Sequence, residues 1–163
     1  AEAIDWGRRA VALAERLGDD EVLSHALNNV GSARFGESDD GFAELERSLG
    51  IALERGYGEH AARAYTNLST SAISRRVYDV AHRYLDEGIR YCESRDHDAW
   101  THYMRAWRAR MRFEHTEWDR ALEDAQVLHD RAAIERRDAR LGRVQLKSVS
   151  EKYLLRSGGT EYN

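Results

Sequence analysis

Arg105, Arg108 and Arg112 recur at three- and four-residue spacing, so on a helix they share a side and can present their guanidinium forks together. With Arg63 joining Arg105 and Arg112, such a set would clamp a carboxylate bidentately, which makes an acidic or C-terminal peptide a candidate ligand. Equally, the same arginines can pair with Asp and Glu of adjacent helices or lie on a wet face, where ion pairs contribute little. The asparagines Asn28, Asn29 and Asn67 offer a second chemistry, because a carboxamide presents both a donor and an acceptor to an extended backbone. Equally, they can stay solvated or bond locally within their own turn.

Catalysis finds less support. His97, Asp98 and His102 are close in sequence, but a five-residue interval takes two rings off a common helical face. The His-Glu-x-x-His zinc pattern is absent, as is the Gly-x-Ser-x-Gly elbow. Glu114-His115 falls at a helix end, where a cationic imidazole simply complements the dipole. Cys92 stands alone and lacks a context that would activate it, so helix packing is its expected role. No Gly-rich phosphate loop with its Lys occurs either. These residues predict a protein that is not an enzyme and needs no metal or cofactor.

The elements that must carry these side chains are helices. The 163 residues contain no proline, and Ala, Leu, Glu and Arg dominate, all low in helical cost. Apolar spacing predicts helices at about Glu2 to Leu17, Asp20 to Phe35, Gly41 to Arg55, Glu59 to Arg75, Tyr78 to Ser94, Asp98 to His115, Glu117 to Ala133 and Arg136 to Leu155. Gly18-Asp19-Asp20, the run from Gly36 to Asp40 and Gly56-Tyr57-Gly58 mark the breaks. Such short links force antiparallel neighbours. A net charge of -4 gives no general attraction to phosphate, which disfavours nucleic-acid binding. No apolar run is long enough for a membrane span, and one cysteine suits a reducing compartment, so a cytoplasmic protein is expected. The first 146 residues lack lysine while Lys147 and Lys152 follow; a natural end and one left by cloning or truncation both fit. The Ser157-Gly158-Gly159 run predicts a flexible tail over 157–163. The chain opens without Met and in mid-helix pattern, as a piece of something larger would.

A period unites the helices. Ala26-Leu27-Asn28-Asn29-Val30-Gly31, Ala64-Tyr65-Thr66-Asn67-Leu68-Ser69 and Tyr103-Met104-Arg105-Ala106-Trp107-Arg108 are analogous stretches at an interval that marks stacked helix pairs. The middle repeat, with Tyr65, Leu68-Ser69, Ala72, Tyr78-Asp79-Val80-Ala81, Leu85 and Gly88, resembles the tetratricopeptide repeat. Trp118-Asp119-Arg120-Ala121 echoes the Tyr78 signature, whereas Arg47 stands where that family has a large apolar residue. The resemblance implies an all-α fold of antiparallel helix pairs stacked as a right-handed superhelix (an α-solenoid) in one domain over 1–156. It divides into a half repeat at 1–18, repeats at about 19–56, 57–95 and 96–133, and a terminal helix at 136–156. The Arg-rich composition and phrases such as Tyr84-Leu85-Asp86-Glu87-Gly88-Ile89 further resemble the helical sensor region of bacterial ATP-binding regulators of the LuxR and MalT type. That resemblance implies a segment sensing an inducer or partner for transcription regulation.

In a stack of this kind the first helix of each pair lines the inner surface. The register from Leu27, Tyr65 and Met104 places His25, Asn28, Asn29, Ser32, Arg63, Thr66, Asn67, Thr70, His102, Arg105 and Arg112 there. In peptide-binding members of the family an Asn before the Leu-Gly pair holds the peptide backbone; Asn29 and Asn67 match it, and Ala106 does not. The expected ligand is a protein or peptide, acidic by the arginines, with a small inducer as the alternative. A homodimer through the exposed end at Ala3, Val11 and Leu13 is a further expectation. The four tryptophans are expected in the packing between helices.

Overall fold

A computed structural model describes residues 2–34 and 40–131. Six helices are delimited there: α1 (Glu2–Leu17), α2 (Asp20–Arg34), α3 (Asp40–Arg55), α4 (Gly58–Ser74), α5 (Tyr78–Glu93) and α6 (Asp98–Glu114). Helical backbone also covers 118–131, called α7 here, and no strand occurs among the described residues. The class is all-α, with each helix packed on its neighbour in sequence. The chain divides into two compact units, Ala1–Asp124 and Ala125–Asn163. The first holds everything that follows; of the second, only 125–131 is described, and it is helical. The predicted terminal helix over 136–156 and the tail over 157–163 lie outside the described residues.

One turn geometry recurs. Gly18, Gly56, Arg76, Asp96 and Thr116 all have positive φ, between 55° and 73°. After each, the next residue's N–H donates to the carbonyl five positions back, as in Asp19 to Ala14, Tyr57 to Ala52, Val77 to Ala72, His97 to Cys92 and Glu117 to Arg112. This is a Schellman closure in which a single left-handed residue caps one helix and a single non-helical residue leads into the next. Only the first two positions carry glycine, for which the left-handed region has no Cβ penalty. Asp19 completes its turn by accepting the Val22 N–H at 3.0 Å, a side-chain cap of the usual kind.

Within the first unit the pairing has two levels. Consecutive helices pack along their lengths, and in addition α2 lies beside α4 and α4 beside α6. Among the described residues, α1, α3 and α5 make no comparably close approach to one another. The even-numbered helices thus form one continuous layer. Small residues set the spacing between helices. A Cβ on Gly88 would meet Met104 Sδ at 2.7 Å and Tyr65 Cβ at 2.8 Å, and one on Gly31 would meet the Gly41 carbonyl oxygen at 2.7 Å. The main core runs from Leu45 through Tyr65, Leu68 and Leu85 to Met104 and Met111, and Ala14, Leu23 and Leu27 form a smaller one. Each fully buried leucine contributes about 1.5–3 kcal/mol of apolar transfer. Cys92 is fully buried in the main core, and burial raises its thiol pKa to about 11.

The tryptophans divide. Trp100 and Trp107 pack against the core, as expected. Trp6 and Trp118 are instead exposed, Trp6 under the Arg9 guanidinium at 4.9 Å and Trp118 beside the Phe113 ring at 6.0 Å.

Candidate functional site

The even-helix layer brings the predicted residues into two separate groups. The first lies across α2 and α4. Asn67 donates from Nδ2 to Asn28 Oδ1 at 2.6 Å and to Ser32 Oγ at 3.0 Å. Ser32 in turn donates to the Asn28 carbonyl at 2.8 Å. Asn28 is buried, Asn67 half-buried, and Asn29 and Ser32 exposed, so a polar seam rises from the interface to the surface. One turn along α4, the half-buried Thr70 gives its hydroxyl to the Thr66 carbonyl, and the buried Thr66 gives its own to Ala62. Both threonine protons are therefore spent inside α4.

At the N-terminal end of this seam, Arg63 Nη1 meets His25 Nδ1 at 3.3 Å, and the His25 ring stands edge-on to His60 at 5.5 Å. His60 Nε2 lies 3.4 Å from Glu21 Oε1. Burial, then the Arg63 charge and then His60 hold the His25 pKa below its usual value, so His25 stays neutral and accepts from the guanidinium. In the next layer His97 and Trp100 share Glu59, the indole N–H donating to it at 2.7 Å. His102 sits half-buried on α6.

The second group gathers the arginines. Arg108 grips Asp124 with Nε at 2.9 Å and Nη2 at 2.7 Å, and its Nη1 reaches Asp86 at 2.9 Å. Arg112 Nη1 lies 2.8 Å from the same Asp124, and Arg105 Nη1 lies 3.7 Å from it while Nη2 binds Glu93. Asp124 is only 2% exposed. Three guanidiniums face three carboxylates, Asp86, Glu93 and Asp124, so the knot is neutral without any ligand. Desolvation lowers the Arg108 pKa, but its bonds to Asp124 and Asp86 outweigh that, and the net shift is upward. Arg63, bonded to His25 on α2, shares no ion pair with this cluster. Among the described residues no group of three His, Cys, Asp or Glu is arranged to hold a metal ion. No helix there is long and apolar enough to cross a membrane.

A cleft of about 480 Å³ opens where α4 ends and α6 passes, lined by Ile73, Ser74, Arg76, Tyr78, Trp107, Arg110 and Glu114. None of these stands in the predicted groove set. Trp107 and Arg110 stand three residues apart, a spacing that places an aromatic and a cation on one helical face; the register drawn through Met104 favoured Arg105 and Arg112 instead. The missed carboxylate, Asp124, carries a clearer signal. It follows the buried Ala121 by three residues, which puts an acid on the inward face of its helix, a placement that demands a partner.

Compared with known proteins, the sequence matches no family model and no curated protein.

Proposed function

We propose that this chain is a non-catalytic interaction scaffold of tetratricopeptide-like helix pairs, which receives a protein or peptide on the layer formed by α2, α4 and α6. The observation that carries this reading is the polar seam Asn28–Asn67–Ser32, set across two helices of a continuous layer. Equivalent faces of successive pairs that adjoin in this way form one extended surface, and extended surfaces suit extended ligands. Asn67 uses its N–H groups within the seam, and its carbonyl oxygen is the group offered to a ligand N–H. An array of this kind stacks into a right-handed superhelix with the even helices inside. The sequence resemblance to regulators of the LuxR and MalT type supports a place as the sensor segment of a cytoplasmic bacterial regulator.

Selection of displayed random peptides on the chain, with counter-selection on the Ser32→Ala, Asn67→Ala double variant, tests this. Enrichment of peptides that bind the parent chain and not the variant is expected. Enriched peptides that bind both equally would remove the seam from the account.

A further inference from the structure

The cleft between the end of α4 and α6 has a composition unlike the seam. Its accessible lining is more polar than apolar: Ser74, Arg76, Arg110 and Glu114 stand around the rings of Tyr78 and Trp107, with the buried Ile73 beside them. At about 480 Å³ it falls within the range of small-molecule sites, roughly 300–1,000 Å³. Its aromatic walls are held in place. Tyr78 packs against the His115 ring at a centroid distance of 3.8 Å, and Trp107 carries the Arg110 guanidinium 5.2 Å from its ring centre. Arg110 is tied to Glu114, Nε to Oε1 at 3.0 Å, so these two charges cancel. Arg76 is exposed, and no ion pair reaches it among the described residues. The cleft therefore carries one uncompensated positive charge beside two aromatic rings.

We propose that the cleft between α4 and α6 binds a small aromatic monocarboxylate, whose ring lies against Trp107 and Tyr78 and whose carboxylate pairs with Arg76. Stacking on an indole favours a flat ring over an alkyl chain. A single carboxylate matches the one uncompensated guanidinium, and Glu114 disfavours a second negative charge beside Arg110. This site is separate from the peptide surface proposed above and stands or falls without it.

The probe is 2-naphthoate, compared with neutral 2-naphthamide, in isothermal titration with the full chain and in shifts of the Ile73 methyl resonance. Arg76→Gly is the informative variant, because φ at position 76 is 59° and glycine keeps the turn without strain. Arg76→Lys retains the charge. The expected result is one-to-one binding of naphthoate that moves the Ile73 signal, an affinity at least about tenfold lower for the amide, and a comparable loss in Arg76→Gly that Arg76→Lys partly restores. Equal binding of acid and amide, an unchanged affinity in Arg76→Gly, a still Ile73 signal, or no binding at millimolar naphthoate would each overturn the assignment.

Discussion

The seam between α2 and α4 and the arginine knot around Asp124 are made of similar material, polar groups on adjoining helices, yet they end in opposite states. In the knot every charge meets a countercharge from the chain itself: Arg105, Arg108 and Arg112 against Glu93, Asp86 and Asp124. In the seam, Asn67 bonds inward through its amide nitrogen while Asn29 and Ser32 remain exposed. Residue type alone does not separate a surface proposed for binding from a structural clamp. What decides is whether a neighbouring helix supplies the complement before a ligand can.

Removing that complement gives the largest expected effect. Asp124→Ala leaves the partly buried Arg108 and Arg112 facing one another, and truncating one partner of a buried pair costs roughly 3–5 kcal/mol. Urea denaturation is expected to show a loss of about 3 kcal/mol, and a variant within about 0.5 kcal/mol of the parent would mean that the knot is not a clamp. The seam should respond more mildly. Asn67→Ala deletes two hydrogen bonds on a half-buried face, and a loss of about 1 kcal/mol is expected in the same assay.

The turn ahead of α7 allows the knot to be strengthened from outside. Thr116 is β-branched and left-handed, at φ 63°, a strained combination. Thr116→Gly is expected to stabilise by about 0.5–1 kcal/mol, net of the entropy glycine adds to the unfolded chain, visible as a higher melting temperature. The smallest effect belongs to the His25 end of the seam. Its folded pKa lies below the unfolded value near 6.5, so the unfolded chain takes up the proton first. The stability His25 contributes is complete above about pH 6.5 and is lost as pH falls from there through the folded pKa. His25→Gln is expected to flatten the stability profile below pH 6.5, which denaturation at a series of pH values would reveal.

Sequence periodicity located α1 to α6 to within a residue or two, because alternating apolar faces and the glycines at 18 and 56 are local signals. The turns at Arg76, Asp96 and Thr116 have the same geometry without the glycine, so only their position between apolar stripes betrays them. The polar partners were harder to see. That Asn28 and Asn67 meet follows from the repeat, since they occupy neighbouring positions of successive pairs. That Asp124 closes on three arginines does not, because it depends on the rotation of α7 about its axis, which the repeat spacing alone leaves open. Trp107 was legible as a packing residue, but its place on a cleft wall rests on where α4 stops.

The central claim is that ligand recognition belongs to the seam and clamping to the knot. Backbone amide shifts of the isotopically labelled chain, recorded while a display-selected peptide is added, test it most directly. The account predicts shifts concentrated at Asn29, Ser32, Asn67 and Thr70, with Arg105, Arg108, Arg112 and Asp124 unmoved. Shifts centred on Asp124 and its arginines, with the α2 and α4 signals still, would contradict it.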